Sequence, residues 1–339
     1  MPTVLVTGAT GFIGGHLVEA LVRRGDRVRC LVRRSSSLEV LNQLDVERIT
    51  CDLSEPQDLD KLLTGVDVVF HLAGLTRALR PEEMMRVNAE GTQYLTRAMA
   101  AAKVPPVHVL ISSISAAGPV PRGLVRSEFD PPNPISNYGR SKRAGEVAAE
   151  SMARAVPTTI VRPGIVFGER NRQMLPIFRM IKSLRLHPVP GIIGSPLSLI
   201  HVRDLVEILL RAADRGARLT PDATDESERQ RGYYFACDGE YPDYAQLGRL
   251  IGSAMDRSST LTLPVPYPLP FLLAGANELV GRALGRSDEF NIDKIREARA
   301  SSWACSPEAV RRDLDFEPPL PLIDRLRQTV KWYRQNHWL

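Results

Sequence analysis

The sequence has few of the residues that mark several protein classes. Only 4 of its 339 residues are cysteines (Cys30, Cys51, Cys237 and Cys305), and no two of them form a C-x-x-C pair. This spacing suggests neither a disulfide framework nor a zinc site, so we expect no metal and a reducing compartment. Aromatic residues make up only 6% of the chain and are not interleaved with basic runs. We therefore expect no nucleic-acid partner.

The sequence also lacks a basic segment near its start and a long, uninterrupted apolar run. Met1, Pro2 and Thr3 lead directly into an apolar run with no basic segment before it, so we expect no signal peptide. The apolar run 261–276 contains four prolines and is too short and too interrupted to span a membrane. From these absences we expect a cytoplasmic protein without a transmembrane segment.

The charge is mildly basic and scattered. There are 44 basic and 39 acidic side chains, a net charge of +5. The arginines occur as isolated pairs, such as Arg23-Arg24 and Arg311-Arg312, and no like-charge run reaches five residues. Apolar residues make up 43% and charged residues 24% of the chain. These values exclude a disordered, collagen-like or coiled-coil chain, and the length suggests roughly two domains.

The first half alternates apolar runs with amphipathic segments, as parallel βαβ units do. The runs are near-continuous and rich in β-branched residues, as expected for strands buried on both faces. The pattern predicts strands at 4–8, 27–32, 46–50, 66–74, 107–112 and 158–163, and helices near 12–24, 56–63, 82–102 and 137–154. The fold class is therefore α/β, a doubly wound parallel sheet of the Rossmann type.

The pattern loosens after Arg162, where proline-rich joints occur at 186–197, 264–270 and 317–321. We interpret residues 1–163 as a dinucleotide-binding core. Residues 164–339 would form mainly a smaller substrate-binding domain, with segments at about 196–236 returning to the core.

A glycine-rich turn follows the first predicted strand and opens a helix. Glycines occur at Gly8, Gly11 and Gly14, and Thr10, Phe12 and Ile13 lie between them. This arrangement provides a tight turn, a close backbone approach to a pyrophosphate, and an anion site at the helix N-terminus. The motif lies between a strand and a helix, as dinucleotide binding requires.

The end of the second predicted strand indicates which dinucleotide is bound. An acidic residue there would favour NAD through the ribose hydroxyls. Arg33 and Arg34 stand there instead, and no carboxylate follows before Glu39. A guanidinium can pair with a 2′-phosphate, so the sequence favours NADP(H), while NAD(H) remains possible. Asp52 and Leu53, after the third strand, are placed to meet the adenine, although Asp52 could equally cap a turn.

Three further side chains suit hydride transfer. Tyr138 and Lys142 are four residues apart and share one helix face, and Ser113 ends the fifth strand. Tyr138 would exchange a proton with the substrate oxygen and also contact the cofactor. Ser113 would hold the substrate oxygen, and Lys142 would bind the nicotinamide ribose. Because an unperturbed tyrosine titrates near pH 10, Tyr138 also needs a neighbouring cation such as Lys142.

With these motifs the chain resembles the extended short-chain dehydrogenases/reductases. The segments that carry the resemblance run from one end of the chain to the other: TGATGFIG (7–14), HLAG (71–74), VNAEGT (87–92), SSISAAG (112–118), YGRSK (138–142), RPGIVFG (162–168), IHVRD (200–204) and WYRQNHWL (332–339). The family implies about seven parallel strands, a nicotinamide cofactor and a smaller C-terminal substrate domain.

The resemblance also implies roles for single residues. Asn88 matches a helix asparagine that supports the active site. Leu72, Ala73 and Gly74 end the fourth strand where the cofactor passes, and Pro163 with Gly164 would border the nicotinamide carboxamide. His201 and Asp204 we interpret as structural, either as a hydrogen-bonded pair or as a helix cap.

The family includes dehydratases, epimerases and simple reductases. Dehydratases place acidic residues directly after the catalytic Ser or Thr, where this chain has Ile114 and Ser115. The apolar segment 261–276 favours a hydrophobic ligand over a nucleotide sugar. Together with the loop after Arg33, it resembles the 3β-hydroxysteroid dehydrogenase and dihydroflavonol reductase branch. That branch implies an apolar secondary alcohol or ketone as substrate. A nucleotide-sugar 4-epimerase and a non-catalytic NADP(H)-binding regulator are the alternatives.

In this family the helices that flank the catalytic strand pair into a four-helix contact between two subunits. The matching segments here are 82–102 and 137–154. We therefore expect a homodimer, and a 37.6 kDa species in sedimentation at micromolar concentration would contradict it.

Overall fold

The computed structural model describes the whole chain except residues 56–58, 192–193, 221–224, 226–227, 229, 258 and 286–290. The described strands are β1 (Thr3–Thr7), β2 (Arg27–Val32), β3 (Glu47–Thr50), β4 (Val68–His71), β5 (Val107–Ile111), β6 (Thr158–Pro163), β7 (Ile165–Phe167), β8 (Leu186–Pro190), β9 (Leu199–His201), β10 (Tyr233–Ala236) and β11 (Leu261–Val265). Seven of them form one sheet in the order β10-β6-β5-β4-β1-β2-β3.

Helices cover both faces of this sheet and build the C-terminal half. Those the structure describes are α1 (Phe12–Arg24), α2 (Leu59–Leu62), α3 (Pro81–Met85), α4 (Gly91–Ala101), α5 (Ile114–Ala117), α6 (Asn137–Glu150), α7 (Leu175–Leu184), α8 (Val202–Arg215), α9 (Tyr244–Ala254), α10 (Pro268–Leu284), α11 (Ile292–Ala298), α12 (Glu308–Leu314) and α13 (Leu322–Gln335). A 3₁₀ turn spans Glu39–Leu41, and a π turn at Arg86–Glu90 joins α3 to α4.

All neighbouring strands of the sheet run parallel, as the buried apolar runs predicted. Val4 is in register with Val28 on one side and with Val68 on the other, so β1 lies between β2 and β4. The strand order reverses at β1 and β4, and their carboxyl ends meet where Thr7 stands opposite His71. Ligands of doubly wound sheets bind outside such a reversal. The predicted fold class is confirmed.

Two predicted helices differ in detail. The segment 82–102 is divided by the π turn. Of the helix expected at 56–63 the structure describes α2, and residues 56–58 lie outside the described part of the chain. Short π turns often occur at functional sites because the extra residue re-aims a side chain. Here the turn contains Asn88.

The second half of the chain contributes both to the sheet and to a core of its own. Strand β10 pairs with β6 at one edge of the sheet, and α8 packs against α1. A separate apolar cluster that includes Phe178, Leu247 and Tyr333 joins α7, α9 and α13. Among the described residues, no helix is both long and apolar enough to cross a membrane.

A buried ion pair ties helix α6 to the sheet. The Arg162 guanidinium donates two hydrogen bonds of 2.8 Å to the Glu146 carboxylate, and both side chains are fully buried. Burial alone would raise the pKa of Glu146, but the charge of Arg162 holds it below its ordinary value. The pair fixes the helix that carries Tyr138 and Lys142 to strand β6.

Substituting Glu146→Gln should lower the free energy of unfolding by about 3–5 kcal/mol, because Arg162 then loses its counter-charge inside the protein. The matched control is Glu47→Gln, which breaks the more exposed 2.9 Å pair with Arg29. That change should cost less than about 1 kcal/mol. Chemical denaturation of both variants measures the two free energies of unfolding. Equal losses of stability would show that the buried pair contributes no more than the exposed one.

Candidate active site

The glycine turn between β1 and α1 forms a cradle that admits no side chain. Gly8 has φ +70°, and a Cβ there would lie 2.6 Å from the carbonyl carbon of Leu72. A Cβ on Gly14 would lie 2.1 Å from the Gly8 carbonyl oxygen. Gly11 precedes α1 without a side-chain cap, so the first turn of the helix keeps backbone N–H groups for a ligand. This cradle fits the pyrophosphate of a dinucleotide.

A cavity of about 1500 Å³ extends from this cradle into the C-terminal half. It is large enough for a dinucleotide and a second ligand. Of the residues expected to bind a cofactor or to act in catalysis, those in its lining are Gly8, Thr10, Gly11, Phe12, Ile13, Gly14, Leu72, Gly74, Ser113, Tyr138, Lys142, Pro163 and Gly164.

The structure brings Ser113, Tyr138 and Lys142 together on this lining. Ser113 follows β5, caps α5 by accepting the Ser115 N–H at 3.1 Å, and shares a hydrogen bond with Tyr138. Lys142 Nζ donates to the carbonyl oxygen of Ile111 at 2.6 Å. Burial lowers the pKa of Lys142 to about 8, although the Glu146 carboxylate acts in the opposite direction. An ammonium has two further donors to offer a ligand.

A second lysine, absent from the sequence interpretation, acts on Tyr138. Burial raises the pKa of the Tyr138 hydroxyl, while the Lys294 cation and the bond to Ser113 lower it. Lys294 Nζ lies 5.3 Å from the centre of the Tyr138 ring and 2.7 Å from a Glu297 carboxylate oxygen. The cation expected beside the tyrosine therefore includes Lys294, which belongs to α11 in the other half of the chain.

Helix α11 also holds the N-terminus of α6. The Asp293 carboxylate accepts the N–H groups of Asn137 and Tyr138 at 2.9 and 3.1 Å. Ser136 Oγ donates to Glu297 at 2.7 Å and accepts the Gly139 N–H at 2.9 Å. Carboxylates stabilise a helix N-terminus through its dipole and its unpaired N–H groups. In the sequence, the only sign of this capping role is the four-residue spacing of Asp293 and Glu297. That spacing is common on solvent-exposed helices.

Asn88 supports the site from behind the cavity. Its side-chain oxygen accepts the Leu75 N–H at 2.7 Å, and its amide donates to Leu75 O and to Ser141 Oγ, each at 2.9 Å. A Cβ on Gly74 would lie 3.0 Å from the Asn88 oxygen and 3.7 Å from Lys142 Nζ. The side chain thus joins the loop after β4 to the helix of Lys142, as a positioning group.

His71 packs within the sheet. Its ring nitrogens lie 2.7 Å from Thr7 Oγ1 and 3.0 Å from Thr92 Oγ1. Burial holds the pKa of this imidazole well below its ordinary value. The neutral His71 ring links β1 to α4 and has a structural role at the point where the strand order reverses.

Some expected cofactor residues lie outside the cavity wall. The described lining does not include Arg33, Arg34, Asp52, Leu53 or Ala73. Arg33 and Arg34 are exposed in the turn after β2, and Leu53 is packed in the core. Asp52 caps a turn: the hydroxyl and N–H of Ser54 lower its pKa, and the Arg33 cation acts in the same direction.

The segment after these arginines closes one side of the cavity, which the sequence interpretation did not foresee. Glu39, Val40 and Gln43 line it, and a Cβ on Gly15 would meet Val40 Cγ1 at 2.5 Å. Gly15 therefore allows this segment to lie against α1, and the segment places Glu39 in the cavity wall.

Beyond the cradle and the Ser-Tyr-Lys group, the cavity wall is mixed, with more apolar than polar residues. The apolar and aromatic residues are Ile114, Ile165, Met174, Ile177, Leu197, Tyr244, Leu247, Ile295, Ala298, Trp303, Trp332 and Trp338, and the polar ones include Arg170, Asn171, Arg172, Gln173, Lys294, Glu297 and Asn336. The apolar segment 261–276, which in the sequence favoured a hydrophobic ligand, contributes no residue to the described lining. That segment instead forms β11, which pairs with β8, and the first half of α10.

His201 and Asp204 lie outside the described cavity lining. His201 caps α8 through the Arg203 N–H at 3.4 Å, and its Nε2 lies 3.2 Å from Glu169. Asp204 accepts a 2.9 Å hydrogen bond from Arg325. Their roles are those of a helix cap and an anchor for α13.

The fold and the glycine cradle define a dinucleotide-binding enzyme with a parallel sheet. The sequence model described as the NAD dependent epimerase/dehydratase family matches residues 4–223. The ceramide reductase of Caulobacter vibrioides is 32% identical over 99% of this chain and 96% of its own length. Sterol demethylase protein B of Methylococcus capsulatus is 33% identical over 64% of this chain and 67% of its own.

Solved structures give the same fold. MoeE5, solved with UDP-glucose and NAD, superposes with a TM-score of 0.73 over 99% of both chains at 25% identity. The chain belongs to the NAD dependent epimerase/dehydratase family, and the resemblance to extended short-chain dehydrogenases/reductases is confirmed. It is a nicotinamide-dinucleotide-dependent oxidoreductase of that family.

Replacing Lys294 with Met should raise the pKa of Tyr138, because a cation that stabilises the tyrosinate is removed. Lys294→Arg retains the charge and should restore the lower value. Each variant is titrated by tyrosinate absorbance, and the signal of the same variant carrying Tyr138→Phe is subtracted. Identical titrations of the Met variant and the unmodified protein would show that Lys294 does not act on the hydroxyl.

Proposed function

We propose that this protein is an NADP(H)-dependent reductase or dehydrogenase that acts on a secondary alcohol or ketone of a bulky, largely apolar substrate. The observation that carries the proposal is the single cavity that joins a dinucleotide cradle, a Ser-Tyr-Lys group and a wall of aliphatic and indole side chains. Apolar residues outnumber polar ones in the wall beyond the Ser-Tyr-Lys group, and this composition supports a largely apolar ligand.

The chain's own groups account for binding of the cofactor. The cradle from Gly8 to Gly14 would hold the pyrophosphate, Lys142 the nicotinamide ribose, and Pro163 with Gly164 the carboxamide end. Arg33 and Arg34 extend from the turn after β2 and would reach the 2′-phosphate of the adenosine. The bound dinucleotide supplies the hydride.

The protein supplies the accompanying proton. In reduction, the Tyr138 hydroxyl donates its proton to the substrate oxygen, while the Ser113 hydroxyl donates a hydrogen bond to the same oxygen. Lys142 and Lys294 stabilise the tyrosinate that remains, and both ammonium groups line the cavity. In oxidation, the tyrosinate accepts the proton.

The relatives support an apolar substrate. Two of them are named for ceramide and for sterol, both bulky lipids. Ile114 and Ser115 follow Ser113, so the position from which a dehydratase supplies its acid carries none. MoeE5 binds UDP-glucose in the same fold, so 4-epimerisation of a nucleotide sugar is the competing function to be tested.

In a screen of NADPH oxidation, the protein should reduce long-chain or steroidal ketones and should not epimerise UDP-glucose. With an identified substrate, Tyr138→Phe should lower turnover by about 10²–10⁴, because the general acid is lost. The Kd for NADPH should stay within a few fold, since the ribose contact is assigned to Lys142 and the phosphate contacts to the glycine cradle.

Lys142→Met is the contrasting variant and should weaken both NADPH binding and turnover. Ser113→Ala should chiefly lower turnover. Near-full activity of Tyr138→Phe would mean that the proton comes from another group, and epimerisation without ketone reduction would replace the proposed reaction.

The cofactor preference has a separate test. NADPH should bind at least about tenfold more tightly than NADH, because a charge-assisted contact to phosphate contributes about 1.5–3 kcal/mol. The double variant Arg33→Ala, Arg34→Ala should remove most of this preference. Glu39→Gln is the control, since its carboxylate lies at the same end of the cavity. Equal affinities of the unmodified protein for the two cofactors would contradict the assignment of the arginines. Weaker NADH binding by Glu39→Gln would assign an adenosine contact to Glu39.

A further inference from the structure

Two hydrogen-bond donors in the cavity wall beside Tyr138 have bonding capacity to spare. They are the Lys294 ammonium on α11 and the Tyr244 hydroxyl at the start of α9, and both residues line the cavity. Burial raises the pKa of Tyr138 and of Tyr244, and the charge of Lys294 acts against it in both cases. The ammonium therefore lies close to both tyrosines. We call Lys294 and Tyr244 the donor pair.

The Tyr244 hydroxyl forms no hydrogen bond with any residue in the part of the chain that the structure describes. The residue is half-buried, and its hydroxyl oxygen is not sealed from the cavity. Burial raises the pKa of this hydroxyl to about 12, so it keeps its proton at neutral pH. Tyr244 is therefore a donor that faces ligand space without a partner.

The Lys294 ammonium also has donors available. It carries three N–H groups, and one of them donates to Glu297 at 2.7 Å. Its Nζ lies 5.3 Å from the centre of the Tyr138 ring, and the side chain is 40% exposed. Because Lys294 belongs to the cavity lining, a ligand in the cavity can reach the ammonium.

The charge of the donor pair is already balanced. The Glu297 carboxylate that binds Lys294 also accepts the Ser136 hydroxyl at 2.7 Å. A substrate carboxylate placed on the ammonium would lie near Glu297, and the two like charges would repel each other. A neutral carbonyl oxygen meets no such repulsion, and its two lone pairs can accept from both donors.

We propose that Lys294 and Tyr244 are specificity-determining residues that bind a neutral carbonyl oxygen of the substrate, close to the alcohol or ketone group that meets Tyr138. The position of that alcohol or ketone rests on the proposed function, but the binding of the carbonyl oxygen does not. A hydrogen bond spans about 2.7–3.2 Å, and Lys294 lies against the Tyr138 ring. The two oxygens of one ligand are therefore separated by only a few bonds, as in a β-keto or β-hydroxy amide or ester.

A purely apolar chain in this part of the cavity would leave the donor pair unpaired. Leu247, one turn after Tyr244, and Ile295, next to Lys294, also line the cavity and offer no acceptor in their side chains. A ligand that displaces water from the two donors without replacing its hydrogen bonds loses free energy. Sites built to hydrogen-bond a ligand group discriminate strongly against analogues that lack it.

The test measures the Kd of two isomeric alcohols by calorimetry with saturating reduced cofactor, so that no reaction takes place. One probe is the N-methylamide of a medium-chain fatty acid with a hydroxyl on the β carbon. The other is the same amide with the hydroxyl on the penultimate carbon, far from the amide. The β isomer should bind at least about tenfold more tightly, because only its amide oxygen reaches the charged donor while its hydroxyl meets Tyr138.

Two variants assign this preference to the donor pair. Tyr244→Phe keeps the ring and should lower the preference about threefold, as expected for loss of a neutral donor, and Lys294→Met should lower it about tenfold. The matched control is Tyr267→Phe, which removes a hydroxyl that donates to Ala298 of α11 at 3.2 Å but lies outside the described cavity lining. This control should keep the full preference.

Several results would overturn the proposal. They are equal Kd values of the two isomers for the unmodified protein, no binding of either isomer, and an unchanged preference in Tyr244→Phe and Lys294→Met. An equal loss of preference in Tyr267→Phe would also overturn it, because the effect would then come from the placement of α11. Tighter binding of the β-hydroxy acid than of its amide would replace the neutral oxygen with an anion.

Turnover of the corresponding ketones separates this proposal from the proposed function. The ratio of kcat/KM for the β-keto amide and its isomer should follow the Kd ratio in each variant. The effect of Lys294→Met on Tyr138 applies to both ketones and cancels in this ratio. If the alcohols bind as expected but neither ketone is reduced, the proposed reaction is wrong and the donor pair stands. If both ketones are reduced equally well, the donor pair is wrong and the proposed function stands.

Discussion

The capping of helix α6 by carboxylates of α11 is the contact on which the site depends. Asp293 and Glu297 hold the first turn of α6 from more than 150 residues away in the chain. The same helix carries Tyr138 in its first turn and Lys142 one turn later, and Arg162 anchors its far side through Glu146. The first turn of α6, with Tyr138, is therefore held both by the sheet and by the C-terminal half.

This arrangement couples the choice of substrate to acid–base chemistry. One short helix, α11, carries Lys294, Ile295 and Ala298. Lys294 places a positive charge next to Tyr138, and the other two residues belong to the apolar part of the cavity wall. Under the proposed function, a substrate that packs against this wall would lie beside Tyr138, so its binding energy could position the reacting oxygen. Burial raises the pKa of the Tyr138 hydroxyl, and Lys294 with the hydrogen bond to Ser113 acts in the opposite direction.

Close backbone contacts and hydrogen bonds of neutral groups hold the part of the cavity around the glycine cradle. Gly8 and Gly14 let the turn touch the backbone after β4, and Asn88 in its π turn holds the following residues against the helix of Lys142. His71 remains neutral because it is fully buried between two threonines. These contacts position the floor of the cavity, and Lys142 is the only charged side chain among them. A floor with so little charge suits a ligand that carries phosphate groups.

Local sequence determined the parallel sheet, the glycine cradle and the Ser-Tyr-Lys group, because each depends on residues close together in the chain or on strand periodicity. The six predicted strands and the turn from Gly8 to Gly14 follow from such patterns. Tertiary structure alone decided the role of α11, the place of Glu39 in the cavity wall, and the exposure of Arg33 and Arg34. It also placed α10 at the surface, although its apolar sequence suggested a ligand pocket. Hydrophobicity states how strongly a segment avoids water, but which surface covers it is set by contacts between segments far apart in the chain.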